Sequence, residues 1–358
     1  MRVVGVDAVP YALPFQEPYV SARGRLERRE MVLVRMRTDE GVEGLGEAVP
    51  LSLRGGVTIA AVEREIREAG RALSGWELDG DEPLARHRAE AGLSPQAAAA
   101  IEVARLDLAG KALDMPVWRL LGASSAETVS CNATLVAGPP PAVAAEAERW
   151  AGLGFTTFKL KVGVSGDVGQ VEAVRAALGP GPRIRVDANG TWSPSEAVLR
   201  LTAMERHGIE LAEQPAADLE DLAAVRGQTA VPIAADESVA DVDDARRAVE
   251  LGACQLATVK LAKVGGLGQA GAIAATLPIY LSSALDGPVG IAAAAHCAAT
   301  LPREGPARGL AQGLATQLLF ADTIATSECE LRDGRLHLPQ GPGLGVEIDE
   351  AALERHRL

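Results

Sequence analysis

Two textures of apolar and polar positions divide the chain. From Val129 onward, short apolar runs alternate with Ala-rich amphipathic stretches. Strand-length runs fall at 129–135, 156–162, 183–187, 209–213, 231–235, 255–260, 278–283 and 307–312. Helical stretches such as Pro194 to His207 and Val242 to Leu251 lie between them. Eight β segments alternating with helices predict an α/β fold of the (β/α)8 barrel type. Ahead of the barrel, residues 1–50 read as strands. Arg29 to Arg37 is strand-like, Thr38 to Gly41 is a turn, and Val42 to Val49 is a return strand. Residues 57–73 and 82–122 read as helices, the second stopping at Gly122. The tail has turn chemistry at Asp333-Gly334 and from Pro339 to Gly345, and is expected to pack back on the first module. The expected organisation is an α+β capping domain over 1–125, a barrel over 126–324 and a returning segment over 325–358.

A length of 358 residues suits a barrel plus a second module. Hydrophobic residues make up 47% and aromatics 3%, so the core must be built from Ala, Val, Leu and Ile. A net charge of −13 without a basic stripe argues against nucleic acid and anionic membranes as partners. Cys131, Cys254, Cys297 and Cys329 form no CxxC, so buried reduced thiols are expected rather than a zinc or redox site. The first nine residues lack the basic start and apolar run of a secretion signal, and no long uncharged apolar stretch follows, so a cytoplasmic protein is expected. Lysine is scarce: of 35 basic residues only Lys111, Lys159, Lys161, Lys260 and Lys263 are lysine. Arginine does not lose its proton at usable pH, whereas a desolvated lysine does, so the survivors mark places where arginine will not serve.

Charged residues recur at the strand ends. Lys161 ends the second strand, Asp187 the third, Glu213 the fourth, Asp236 the fifth and Lys260 the sixth, in steps of 26, 26, 23 and 24 residues. One βα unit takes about that many residues, so each group returns at the mouth of the barrel, where active sites are built. Three carboxylates brought together need a cation between them, and oxygen-only ligands suit Mg²⁺. In Lys159-Leu160-Lys161 the two lysines share one face of a strand. Beside each other and beside a metal, they are expected to have lowered pKa values and to serve as bases. Asn189 and Glu237 are expected to support the ligands rather than to bind metal. Lys263 is expected to be solvated and Lys111 structural.

The segments FKLKVG, RVDANG, LAEQP, AADES and VKLAKVGG resemble the successive strand-end motifs of the enolase superfamily, muconate-lactonizing subgroup. GEAVPL and LDLAGKALDMPVWRLLG resemble that subgroup's capping domain, so the likeness spans nearly the whole chain. It implies a modified, enolase-like barrel with Asp187, Glu213 and Asp236 holding Mg²⁺, or Mn²⁺ in its place. It implies Lys161 as the base that takes the proton α to a carboxylate, Lys260 as a second acid/base or electrostatic stabiliser, and Lys159 as a group that tunes Lys161 and touches the substrate carboxylate. The partner implied is a small-molecule carboxylate; a homo-oligomer is left open. Substrate choice should lie in strands seven and eight and in the capping loops, which makes Ser282 and Ser283 candidates for substrate contact. LSSALDGPVGIAAAAHCAATLP followed by RGLAQGLATQLLFADTI resembles the actinobacterial type of o-succinylbenzoate synthase, a dehydratase of menaquinone synthesis. LPFQEPYVSARGRLERRE resembles cycloisomerases and N-acylamino acid racemases as much. A cycloisomerase, racemase or dipeptide epimerase is the alternative. Strand eight carries no Asp-x-Asp of the kind dipeptide epimerases use, and Gln312 is nearest to the acidic residue that muconate enzymes carry there.

Competing readings are few. Gly266 to Gly271 fits GxGxxG and could cradle a dinucleotide, but its late position favours a Gly-rich strand–helix turn. Of the five histidines only His296 lies in the barrel's last third, in a helix, and no GxSxG elbow occurs. A barrel kept only for binding would be missing a rung of the charged ladder, and none is missing.

Overall fold

The computed structural model describes residues 1–21, 24–51, 56–77, 92–301, 307 and 309–358. Strands β1 (Val3–Ser21), β2 (Gly24–Thr38) and β3 (Glu43–Ala48) form an antiparallel meander. Helices Ile59–Leu73 and Pro95–Ala112 pack on it over a core that includes Val34, Met36, Ile66 and Ala100. Close approach requires glycine here, because a Cβ at Gly46 would stand 2.0 Å from the Ala100 carbonyl oxygen. The second helix starts where Ser94 accepts from the Ala97 N–H and Pro95 fills the first turn. The early part of the helix expected over 82–122, residues 82–91, lies outside the described residues.

The barrel is built from seven parallel strands in sequential order: β5 (Ala133–Leu135), β6 (Thr157–Lys161), β7 (Arg183–Asp187), β8 (Ile209–Glu213), β9 (Ile233–Ala235), β10 (Leu256–Val259) and β11 (Ile279–Leu281). Two expected strands differ. The run 129–135 breaks at Cys131-Asn132. Its first half, β4 (Thr128–Ser130), leaves the barrel and pairs antiparallel with a tail hairpin of β13 (Glu330–Arg332) and β14 (Arg335–His337). The run 307–312 yields no regular strand among the described residues. Closure is made instead by isolated bridges from Gln312 to Cys131 and from Gly313 to Ser282. Asn132 N–H donates to the Gln312 carbonyl at 2.9 Å, and Gly313 N–H to the Leu281 carbonyl at 2.8 Å. A 3₁₀ turn, Ala315–Leu319, follows where an eighth helix would stand, so the barrel is a modified one. The Gln312 side chain is a closing staple: its Oε1 accepts from Leu281 N–H at 2.6 Å and its Nε2 donates to the Leu310 carbonyl at 2.9 Å.

The tail reaches the first module. β12 (Ala325–Ser327) pairs with β15 (Glu347–Ile348), and after helix Glu350–His356 the Leu358 N–H donates to the Pro10 carbonyl at 3.1 Å. Val117 N–H donates to the Gly343 carbonyl at 2.9 Å. All four cysteines are buried and free. Among the described residues no helix is long and apolar enough to cross a membrane.

Two carboxylates from the capping module, the buried Glu47 and the half-buried Glu102, fasten it to barrel helices. Glu102, in helix Pro95–Ala112, accepts from the Leu267 and Gly268 N–H groups at 2.6 and 3.0 Å, at the start of helix Leu267–Ala274. Glu47, in β3, accepts from the Tyr11 hydroxyl at 2.9 Å and from the Gly287 N–H at 2.6 Å, at the start of helix Pro288–Ala298. Burial, and then the neighbouring Asp286, push the Glu47 carboxyl up to about 8 from 4.5. Between those two values the folded chain holds a proton that the unfolded chain releases. The stability linked to this group is therefore complete below pH 4.5 and is lost as pH rises through about 8. The slope is at most about 1.4 kcal/mol per pH unit. Glu47→Gln is expected to flatten that fall, measured as denaturation midpoints across the interval. An unchanged pH dependence would show that Glu47 does not titrate there.

Candidate active site

Strand register assembles the charged ladder. Lys161 stands opposite Asp187 and Asp187 opposite Glu213. Glu213 stands opposite Ala234, so Asp236, two residues on along the same face, adds the next rung. Lys260 follows β10 directly. Below this layer, Leu211, Ala234, Leu256 and Tyr280 fill the barrel, which leaves the ladder at its open end. Lys159, Lys161, Asp187, Glu213, Asp236 and Lys260 are all 6% exposed or less.

Each carboxylate is turned onto ammonium groups. Lys159 Nζ donates to Glu213 Oε1 and Oε2 at 2.6 and 2.7 Å and lies 3.0 Å from Asp187 Oδ2. Lys161 Nζ donates to Asp187 Oδ2 at 2.6 Å and to Asn189 Oδ1 at 3.3 Å. Lys260 donates to Asp236 Oδ2. Asn189 Nδ2 donates to Glu237 Oε1 at 3.1 Å, so this pair braces Lys161 from behind. Burial pushes Asp187 up, but Lys159 and Lys161 together outweigh it and hold the carboxyl below its ordinary range. Glu213 is driven up by burial and by Asp187, against the pull of Lys159.

The lowered Lys161 pKa was expected beside a metal; among the protein's own groups burial pushes Lys161 down, but Asp187, Tyr19 and Glu213 together outweigh burial and raise it, as Asp187 and Glu213 raise Lys159. One expectation is corrected: Lys263 was expected to be solvated. It is 8% exposed, and its ammonium donates to the Asp236 carboxylate at 3.0 Å, to the Thr258 carbonyl at 3.2 Å and to the Asp236 carbonyl. The short helix Leu261–Val264 carries it back under the fifth strand end, a turn that its position in sequence did not reveal. Lys111 is structural: it donates to the Glu43 carbonyl at 2.8 Å and to Asp107 at 2.7 Å. Ser282 and Ser283 both line the cavity above the ladder, and the Ser283 hydroxyl also donates to Asp286 at 2.7 Å.

Other supporting groups were not singled out in the sequence. Gln214, with a positive φ of 37°, accepts from the Asp236 N–H at 2.8 Å and donates to the Ala216 carbonyl at 2.9 Å, tying the fourth strand end to the fifth. The Tyr280 hydroxyl donates to Glu213 Oε2, and the Arg185 guanidinium lies 4.8 Å over its ring. Alternation was the available signal, since Tyr280 stands two residues before Ser282 on the same inward face. The GxGxxG run is the Gly-rich turn expected. A Cβ at Gly266, whose φ is +120°, would overlap Glu102, so the helix N-terminus that could have met a phosphate already holds a protein carboxylate. His296 has a structural role: its Nδ1 accepts from the Trp118 N–H at 2.9 Å, and burial holds it down at about 4.

Above the ladder opens a cavity of about 70 Å³. Lys159, Lys161, Lys260 and Asn189 form its barrel side; Tyr19, Arg29 and Leu51 reach it from the capping module. Among the described residues its lining carries four cationic side chains and no carboxylate. Also among the described residues, no three carboxylate, imidazole or thiol groups stand together as a ready-made metal cluster. The donor chemistry nevertheless fits a hard divalent cation. Asp187, Glu213 and Asp236 offer only oxygen, are buried side by side, and are close enough that Asp187 and Asp236 both raise Glu213.

Comparison with known proteins agrees with this geometry. Residues 3–122 match the family described as mandelate racemase / muconate lactonizing enzyme, N-terminal domain, and residues 142–352 match the enolase C-terminal domain-like family. The chain belongs to the enolase superfamily, in its muconate-lactonizing branch, and is an enzyme of the proton-abstracting kind. It is 33% identical to a hydrophobic dipeptide epimerase of Enterococcus faecalis, over 84% of this chain and 87% of that one. It is 33% identical to muconate cycloisomerase 1 of Pseudomonas putida, over 94% and 93%. It is 28% identical to o-succinylbenzoate synthase of Geobacillus stearothermophilus, over 96% and 93%. Among solved structures, the Enterococcus faecalis dipeptide epimerase complexed with Mg and L-Leu-L-Tyr superposes with a TM-score of 0.90 at 30% identity, covering 97% of this chain and all of that one.

Removing the Glu102 carboxylate leaves two helix N–H groups without their acceptor. Glu102→Ala is expected to cost about 1–2 kcal/mol in a urea unfolding experiment. NADH fluorescence is expected to stay unchanged on titration with the parent protein; a saturable change would reinstate the dinucleotide reading.

Proposed function

We propose that the cavity binds a small carboxylate and that Lys161 removes the proton α to it, with Lys260 as the second acid/base group. The observation that carries this reading is the lining itself: both lysines, two further cations and, among the described residues, no carboxylate. Asp187, Glu213 and Asp236 would hold Mg²⁺. When bound, Mg²⁺ supplies positive charge beside the substrate carboxylate and favours the ene-diolate over the acid. With the carboxylates committed to a cation, their charge would no longer outweigh burial on Lys161, which would be released as a base.

The reaction we assign is o-succinylbenzoate synthesis. Lys161 takes the α-proton from a cyclohexadiene carboxylate, the ammonium of Lys260 steadies the charge on the ene-diolate, and the β-hydroxyl departs as water with the proton returned by Lys161. A dipeptide is disfavoured, because its free ammonium would meet four cations in the lining. Isomerisation of an N-acyl amino acid or of muconate is the second reading. It shares the first proton abstraction and is favoured by the epimerase and cycloisomerase relatives.

The test is turnover of the synthase substrate by the purified protein. Chelation is expected to abolish activity and re-addition of Mg²⁺ to restore it. Lys161→Ala is expected to lose about 100- to 10,000-fold in kcat. Full activity after either treatment would sink the mechanism. No synthase turnover together with racemisation of N-acyl amino acids would keep the site and replace the substrate.

A further inference from the structure

The three buried carboxylates share one pattern of donors. One oxygen of each is held from the body of the protein. Asp187 Oδ1 accepts from the Asn189 main-chain N–H at 2.9 Å, Glu213 Oε2 from the Tyr280 hydroxyl, and Asp236 Oδ1 from the Lys263 ammonium at 3.0 Å. The other oxygen receives a lysine that lines the cavity: Lys161 on Asp187 Oδ2 at 2.6 Å, Lys159 on Glu213 Oε1 at 2.6 Å and Lys260 on Asp236 Oδ2. Lys159 also donates to Glu213 Oε2 at 2.7 Å. The two side-chain donors on the protein side are fixed by their surroundings. Tyr280 is fully buried in β11 with the Arg185 guanidinium 4.8 Å over its ring, and Arg185 is itself held by Glu210 at 2.5 Å and by the Ala311 carbonyl at 2.7 Å. Lys263 is buried and directs its other donors to the Asp236 carbonyl and, at 3.2 Å, to the Thr258 carbonyl.

The two sets of oxygens therefore differ in what can reach them. Lys159, Lys161 and Lys260 stand at the open end, so the oxygens they cover are the ones a cation could take over. The oxygens beneath stay with Tyr280, Lys263 and the Asn189 main chain. Each carboxylate then offers a single oxygen. That limit suits Mg²⁺, which takes about six oxygen ligands and keeps waters among them. It works against Ca²⁺, which takes about six to eight and often draws both oxygens of a carboxylate. We infer that Tyr280 and Lys263 are positioning residues that hold Glu213 and Asp236 to one offered oxygen each, and that they thereby set a preference for Mg²⁺ over Ca²⁺. Their role rests on the proposed use of Asp187, Glu213 and Asp236 as the metal ligands.

A brace that only stiffens the barrel would weaken both cations alike, whereas a positioning donor shifts their ratio. The experiment is isothermal titration of the full chain, dialysed free of metal, with Mg²⁺ and with Ca²⁺ separately. The parent protein is expected to bind Mg²⁺ about tenfold or more tightly than Ca²⁺. Tyr280→Phe, which removes only the hydroxyl, is expected to weaken Mg²⁺ about 10- to 100-fold and Ca²⁺ less, so that the ratio narrows. Lys263→Met is expected to narrow it in the same direction, and Lys263→Arg, which keeps donors at the site, to retain part of the preference. No preference in the parent protein, or an unchanged ratio in a folded Tyr280→Phe, overturns the inference, and an unchanged ratio in a folded Lys263→Met removes Lys263 from it. The parent measurement stands even if a variant fails to fold. Absence of Mg²⁺ binding to the parent protein would overturn the metal-ligand assignment itself, whereas binding with an unchanged ratio in the variants would leave that assignment in place.

Discussion

Burying three carboxylates at the end of a barrel is the constraint to which the rest of the molecule answers. Each is at most 1% exposed, and ionised groups so deep are tolerated only when opposite charge is supplied. The chain supplies it with four lysines, and the neighbouring architecture keeps those lysines in reach. Strand register sets Lys159 and Lys161 beside Asp187 and Glu213. The turn after β10 brings Lys260 and Lys263 together onto Asp236. Arg185 and Tyr280 support Glu213 from the layer below. An ion pair held this tightly locks both partners, so an exchange of partners, from ammonium to divalent cation, is the natural way to free a base.

Much of this was legible in the chain. The spacing of one charged group per βα unit located Lys161, Asp187, Glu213, Asp236 and Lys260 without coordinates, because a barrel repeats its geometry strand by strand. The scarcity of lysine pointed to the same segments. Periodicity also gave the meander and seven of the barrel strands.

What escaped was set by tertiary geometry. The run 129–135 is one apolar stretch, and nothing local says that β4 is claimed by a hairpin two hundred residues away. The run 307–312 has strand-like composition, but closure uses single bridges and leaves no length for a ladder. Lys263 looked solvated because a four-residue helix cannot be seen in periodicity. Among the protein's own groups, the direction of the Lys161 shift depends on which charges surround it, and the sequence does not weigh Asp187, Tyr19 and Glu213 against burial. Gln214 and Tyr280 are neutral residues whose roles arise only from what stands across from them.

Glu47 and Glu102 have a consequence for how such a protein diversifies. Both are capping-module carboxylates occupying the N-termini of barrel helices, and the glycines facing them, Gly287 and Gly266, have no room for a Cβ. The two modules are thus keyed together at two points, each key pairing one acid with one glycine on a different stretch of chain. A cap transplanted from a relative would carry its own keys and meet foreign locks. Inheritance of cap and barrel as a single block, with change confined to side chains around the cavity rim, is the course this fastening imposes.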